Sequence, residues 1–119
     1  MTYLALVLAG DWALSGDDLL QVLQADWPGV AIEACQGDPT CDVVWSHGEG
    51  AGCVEGSSHV SGQCIYLDGQ GHPVAEFVAW YRRVVPAEQT VILCDDAYSF
   101  DVIVDPGSTA ADIQDLLPE

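Results

Sequence analysis

The sequence predicts one α+β domain over residues 1–119, in which a mainly antiparallel sheet carries two longer helices and a short C-terminal helix. Three observations predict this class. The segments typical of strands cluster between the helical segments instead of alternating strictly with them. Two amphipathic segments have the spacing and boundary residues of helices, and a shorter one lies near the C-terminal end. The length is in the usual range for a single domain with its own core.

Seven segments have the apolar, β-branched composition of strands. They cover residues 3–8, 30–34, 42–45, 53–55, 64–67, 91–94 and 98–104. The first is a continuous apolar run, which is typical of a buried central strand. The polar turns at 36–39 and 95–97 each join two strands and predict two hairpins. The Gly- and Ser-rich segment 46–62 supports only the short strand within it.

The two longer helices have recognisable boundaries. Ser15 and Asp18 are spaced like a capping box at the start of the first helix, which ends before Pro28. Pro73 is well placed as the first residue of the second helix, since proline lacks the N–H that would be unsatisfied there. This helix runs to about Val85 with one apolar face.

The short C-terminal helix follows a Pro- and Gly-containing turn. Thr109 and Asp112 have the spacing of a second capping box. The side chains expected to face the core are Ile113, Leu116 and Leu117.

The charge balance is strongly acidic. Nineteen Asp and Glu residues stand against two arginines, Arg82 and Arg83, and there is no lysine, so the formal net charge is −17. The acids are spread along the chain, which indicates a charged folded surface and not an acidic tail. Such a surface repels nucleic acid, anionic membranes and phosphorylated ligands. The sequence therefore predicts a cationic partner.

The five cysteines are irregularly spaced, at positions 35, 41, 53, 64 and 94. The opening apolar run is too short for a signal peptide and lacks its basic residues. There is also no run of about 18 apolar residues that would span a membrane. We therefore expect a cytoplasmic protein with reduced thiols. If the chain is exported by another route, a disulfide such as that between Cys35 and Cys41 can form.

No segment has the pattern of a complete catalytic or metal site. The segment from His47 to Glu49 resembles the H-x-E half of a zinc deaminase site, but the C-x-x-C half is missing. Zinc ligands could be drawn from the histidines and cysteines, but their spacing is irregular. The candidate ligands are His47, Cys53, His59, Cys64 and His72. Acidic surroundings also raise the pKa of a thiol, which disfavours a cysteine nucleophile. We predict a protein that is not an enzyme and holds no cofactor or metal.

Acids that neighbour aromatic residues are the candidate contacts with a partner. The predicted hairpin tip combines Asp95, Asp96 and Tyr98, and aromatic anchors surrounded by charge are typical of binding hot spots. Similar pairs of an acid and a tryptophan occur at the end of the first predicted strand and in the third. The candidate partner-binding residues are Asp11, Trp12, Asp42, Trp45, Glu49, Asp95, Asp96 and Tyr98.

The acidic, lysine-free composition and the ending VILCDDAYSFDVIVDPGSTAADIQDLL give the chain a likeness to a known class of proteins. It resembles the small immunity proteins that neutralise toxins in bacterial polymorphic toxin and contact-dependent inhibition systems. The resemblance implies a cognate basic protein toxin as the partner, often a nuclease or a nucleic-acid deaminase. It also implies that the acidic surface occludes the active site of that toxin. The oligomeric state is left open.

Three other interpretations fit the same residues. The chain could mimic nucleic acid and inhibit a DNA-binding protein. It could be a small metal-binding or redox protein that uses its Cys and His residues. Its acidity could also be an adaptation to high salt, in which case the charge carries no information about a partner.

Overall fold

The computed structural model describes residues 2–8, 12–33, 35, 37 and 39–117, which form a seven-stranded antiparallel sheet and three α-helices. The strands are β1 (Thr2–Leu8), β2 (Ala31–Glu33), β3 (Cys41–His47), β4 (Val54–His59), β5 (Cys64–Gly69), β6 (Thr90–Asp95) and β7 (Asp101–Val104). The helices are α1 (Gly16–Asp26), α2 (Gly71–Val84) and α3 (Ala110–Leu116), and a 3₁₀ turn covers Gly50–Gly52. The predicted α+β class is confirmed.

The strands are ordered β2-β3-β4-β5-β1-β6-β7. Strand β1 lies inside the sheet, paired antiparallel with β5 on one side and β6 on the other. Alternate residues Tyr3, Ala5 and Val7 join the core cluster that also contains the buried side chains of all three helices. Because side chains of a strand alternate between faces, all three helices pack on the same face of the sheet.

The starts of α1 and α3 follow the local signals in the sequence. Helix α2 begins at Gly71, so the prediction that Pro73 is its first residue is wrong by two positions. The Ser15 hydroxyl accepts a hydrogen bond of 3.2 Å from the backbone N–H of Asp18 at the start of α1. At α3, Thr109 and Asp112 form both hydrogen bonds of a capping box, at 3.2 Å and 3.0 Å. These bonds satisfy N–H groups that have no partner within the helix. The capping box predicted at Thr109 is confirmed, and at Ser15 the structure confirms the bond to the Ser15 hydroxyl.

The helix bodies agree with the predicted faces, with one correction in α3. In α2 the predicted apolar face is buried, and Phe77 stacks on Trp27 with ring centroids 4.0 Å apart. In α3, Ile113 and Leu117 are buried, but Leu116 is 40% exposed. The prediction that Leu116 faces the core is wrong, because it lies on the flank of the face that Ile113 and Leu117 present.

Strand β4 is longer than the sequence predicts. Two of its Gly and Ser residues make specific contacts with β3. Gly56 lies beneath the ring of Trp45, where a Cβ atom would overlap the indole. The buried Ser58 hydroxyl accepts a hydrogen bond of 3.1 Å from the backbone N–H of Val43. Contacts between strands, not strand propensity, therefore form this element.

Two of the five cysteines are joined. Cys35 and Cys41 form a disulfide with a Cα–Cα distance of 5.9 Å, which ties the chain after β2 to the start of β3. This pairing corrects the expectation that all the thiols are reduced. Cys53, Cys64 and Cys94 are free. Part of the predicted turn 36–39, which this disulfide spans, lies outside the described residues.

We expect Gly56→Ala to lower the free energy of unfolding by about 1–3 kcal/mol, because the new methyl group displaces the buried Trp45 ring. Urea denaturation measures this. Gly52→Ala is the matched control, because nothing lies within 4 Å of a Cβ atom at that position. Equal stability of the two variants would contradict this packing.

Candidate functional site

Three of the predicted acids, Asp95, Glu49 and Asp42, lie at two opposite ends of the sheet. Asp95 is the register partner of Tyr3, near the N-terminal end of β1, and the chain reaches Glu49 at the same end of the sheet, after β3. Asp42 lies at the other end, next to Cys41, which pairs with His59. Six or seven residues of strand span roughly 20 Å. The predicted residues therefore do not form one continuous contact surface.

Asp95 is buried, and its carboxylate organises the β6–β7 loop. It is only 3% exposed, and its Oδ1 accepts a hydrogen bond of 2.7 Å from the backbone N–H of Ser99. The Ser99 hydroxyl donates to the other carboxylate oxygen. These bonds, above all that from the hydroxyl, hold the pKa of Asp95 below its ordinary value of 3.8. The prediction that Asp95 contacts a partner is thus corrected, because the loop already uses its carboxylate.

The loop that Asp95 holds presents its neighbours to solvent. The backbone N–H of Asp96 donates to the carbonyl of Thr2, and the Asp96 side chain is exposed. Tyr98 adopts a positive φ of 55° and is 71% exposed. An exposed tyrosine beside a carboxylate agrees with the composition expected of a contact tip.

The predicted tryptophan contacts lie in or against the core. Trp45 is 0% exposed, between Gly56 and the ring of Phe77 at 6.3 Å, so the prediction that it contacts a partner is wrong. Trp12 is partly buried against the core. Trp45 is buried because it lies on the face of the sheet that the helices cover. Asp11 lies outside the described residues.

The two remaining acidic candidates are exposed. Asp42 has its carboxylate beside Gly16, the first residue of α1, where the helix dipole favours negative charge. Glu49 precedes the 3₁₀ turn and its side chain makes no capping hydrogen bond there. Both are free to meet solvent, but at opposite ends of the sheet.

The sheet face opposite the helices, here called the open face, carries a row of apolar side chains. Leu6 is the register partner of both Cys64 and Ile92, and Ile92 pairs with Ile103. This apolar row crosses β5, β1, β6 and β7. Ile103 is 61% exposed, and Leu8, farther along β1, is 57% exposed. Among the described residues, no helix packs on this face.

Acidic side chains lie on one side of the apolar row, toward the N-terminal end of β1. A second row across the sheet begins at Glu33 and ends at Asp101. Between these two acids it contains Val44, Ser57, Tyr66, Leu4 and Cys94. A third row places Glu55 directly opposite Asp68. A shallow depression of about 390 Å³ lies between the second and third rows. The open face thus has an apolar row with an acidic rim along one side, and a polar rim beside apolar residues is common in protein interfaces.

The sequence does not predict this surface. The continuous apolar residues of β1 predict a strand that is covered on both faces. That apolar run was the one feature of the sequence from which an apolar second face could have been inferred. Among the described residues, neighbouring strand side chains are what covers the second face of β1: Leu4, Cys64 and Cys94 are buried in a small cluster of their own.

Arginine side chains are absent from the open face. Both arginines belong to the described part of the chain and lie on α2, on the other side of the sheet. Arg82 is buried, and its Nη1 and Nη2 donate to the carbonyls of Gln89 and Pro86 at 2.9 Å and 2.8 Å. Arg83 is exposed. Only one arginine side chain therefore reaches the molecular surface.

Metal ligands do not cluster in the described part of the chain, and two of its free thiols are buried. Within it, no group of three or more His, Cys, Asp or Glu residues could hold a metal ion. Burial raises the pKa of Cys64 to about 11, against a lowering hydrogen bond with Tyr66. Burial also raises the pKa of Cys94, with smaller contributions from Asp95 and Asp101. Both thiols are therefore protonated at neutral pH and are poor nucleophiles.

Comparisons with known proteins identified no relative. No family model, no curated protein and no solved structure matches this chain. In the described ranges, no helix is long and apolar enough to cross a membrane.

We expect Asp95→Asn to lower the melting temperature at neutral pH, because the charged acceptor of the Ser99 hydrogen bonds is lost. The folded pKa of Asp95 lies below 3.8, so its stabilisation is complete above that value and is lost as the pH falls below it. The difference between variant and wild type should therefore shrink in acid. Thermal melts at several pH values measure it.

Asp96→Asn is the matched control for this experiment, because the neighbouring side chain is exposed. A constant difference between Asp95→Asn and wild type down to strong acid would rule out the carboxylate as its cause.

Proposed function

We propose that this protein binds a basic protein toxin of bacterial origin, a nuclease or a nucleic-acid deaminase, and neutralises it by occluding its active site with an acidic surface. One observation carries the proposal: nineteen carboxylates are opposed by two arginines, of which one is buried. A nuclease or deaminase cleft is basic because it binds phosphates. An acidic surface of this charge competes with the nucleic acid for such a cleft.

The charge distribution supports an inhibitor that associates quickly. Carboxylates border the open face and the β6–β7 loop, and the sole exposed arginine lies on α2. A field of one sign steers an oppositely charged partner and increases the association rate by roughly 10–10³-fold. An exposed Tyr98 and the apolar row add surface whose burial slows dissociation.

Not every acid is available for this role. Asp95 holds the β6–β7 loop, Asp112 caps α3, and Asp26 accepts a hydrogen bond of 2.7 Å from the indole N–H of Trp80. The exposed candidates among the predicted residues are therefore Asp42, Glu49, Asp96 and Tyr98.

The compartment in which binding takes place is a separate part of the proposal. The expectation from the sequence is the cytoplasm. The Cys35–Cys41 disulfide favours an oxidising compartment instead, since such bonds persist there. Counting the thiols that react in unreduced, denatured protein from fractionated native cells distinguishes the two. Five react if the chain is reduced and three if this disulfide has formed.

The direct test is capture of the partner from native cells on the immobilised protein. We expect a basic protein whose nuclease or deaminase activity is lost on adding one equivalent of this chain. A captured DNA-binding protein without such activity would favour the nucleic-acid mimic instead. An acidic partner, or a toxin activity that is unchanged by the chain, would contradict the proposal.

The β6–β7 loop makes a sharper kinetic prediction. We expect Asp96→Lys to slow association with the captured toxin by about twofold to fivefold and to weaken the dependence of the rate on ionic strength. Stopped-flow or surface-based kinetics at several salt concentrations measure both. Glu88→Lys is the control with the same change in charge, in the loop before β6. If both variants slow association equally, net charge and not the β6–β7 loop is responsible.

A further inference from the structure

We infer that the open face is the surface on which the partner docks, and that its occupant is a basic amphipathic helix. The inference rests on the proposed function and specifies its binding surface. The apolar side chains of such a helix would lie on the apolar row, and its Lys and Arg residues would lie against the acidic rim.

The apolar row is suited to being covered. Strand β1 is apolar on both faces, and its inner residues are covered by helices, whereas its outer residues Leu6 and Leu8 are not. Ile103, at the end of the row, is also largely exposed. Exposed apolar side chains that continue a buried cluster, with polar residues around them, mark an interaction surface.

The charge of the rim selects a basic occupant. Glu33 and Asp101 stand at the two ends of the second row, and Glu55 opposes Asp68 in the third. Both arginines of the chain lie on α2, away from this face. A second copy of the chain would bring another net charge of −17 against these carboxylates, which disfavours self-association here.

The geometry of the face favours a helix over a strand. A strand can add only at the sheet edges, β2 and β7, because only edge strands have unpaired backbone groups. The apolar row crosses four strands, or about 14 Å at about 4.8 Å per strand. A helix of about ten residues has that length. The opposite face of the same sheet already packs helices.

A pair of synthetic peptides tests the inference before the toxin is identified. The first is a helix of about 18 residues with leucines on one face and lysines on the other, and the second has the same composition in permuted order. Fluorescence anisotropy at about 0.15 M salt gives the affinity of the full chain for each. We expect the amphipathic peptide to bind about tenfold more tightly than the permuted one.

Charge variants of the chain separate docking from simple attraction. Ile103→Asp adds a carboxylate at the end of the apolar row and Leu8→Asp adds one beside it, and we expect each to weaken binding of the amphipathic peptide about fivefold to tenfold. Gln21→Glu adds the same charge to an exposed position of α1, on the other side of the sheet, and should leave binding unchanged or slightly tighter. Thermal melts confirm that each variant is folded.

The outcomes distinguish the two levels of proposal. Tighter binding by Ile103→Asp and Leu8→Asp, or equal affinity for the two peptides, would overturn the open face as the docking site while leaving an acidic binding protein in place. Absence of binding to both peptides, even at low salt, would overturn the docking site and the proposed function together.

Discussion

The one-sided packing of the sheet is the constraint on which the rest of this structure depends. Strand β1 pairs with β5 and β6 and sends Tyr3, Ala5 and Val7 into the core with the helices. Its other side chains project from the opposite face, where residues of neighbouring strands partly cover them. A sheet with an apolar strand at its interior and helices on one side must expose part of that strand's second face. The open face follows from this arrangement.

The core tolerates the high charge because the acids lie at positions where a carboxylate has a local use or meets water. Asp95 accepts hydrogen bonds within its loop, and Asp112 caps a helix. Arg82 is buried against backbone carbonyls and orders the connection between α2 and β6. The other described carboxylates are exposed, on the helices, in loops and on the open face, so their mutual repulsion is screened by solvent. The acidity is thus compatible with a well-packed interior.

The two candidate surfaces differ in what they offer a partner. The β6–β7 loop presents an exposed tyrosine and a carboxylate on a backbone held by Asp95. The open face offers a wider area in which apolar contacts combine with charge. Thr2 connects the two, since its carbonyl accepts from Asp96 and it pairs with Asp68 on the open face. A basic partner on the open face would therefore have the loop within reach at one end.

Composition determined the net charge, and local sequence signals determined the fold class and the caps of α1 and α3. The bonds at Ser15 and Thr109 join residues three positions apart, so their spacing alone specifies them. The apolar face of α2 follows from its period in the same way. Tertiary structure decided what depends on residues distant in sequence. The Gly- and Ser-rich segment forms β4 because it pairs with β3. The helices bury Trp45 on one face of the sheet, whereas Ile103 on the other face is exposed. No local pattern distinguishes the two faces of an apolar strand, because the difference lies entirely in which elements pack against each face.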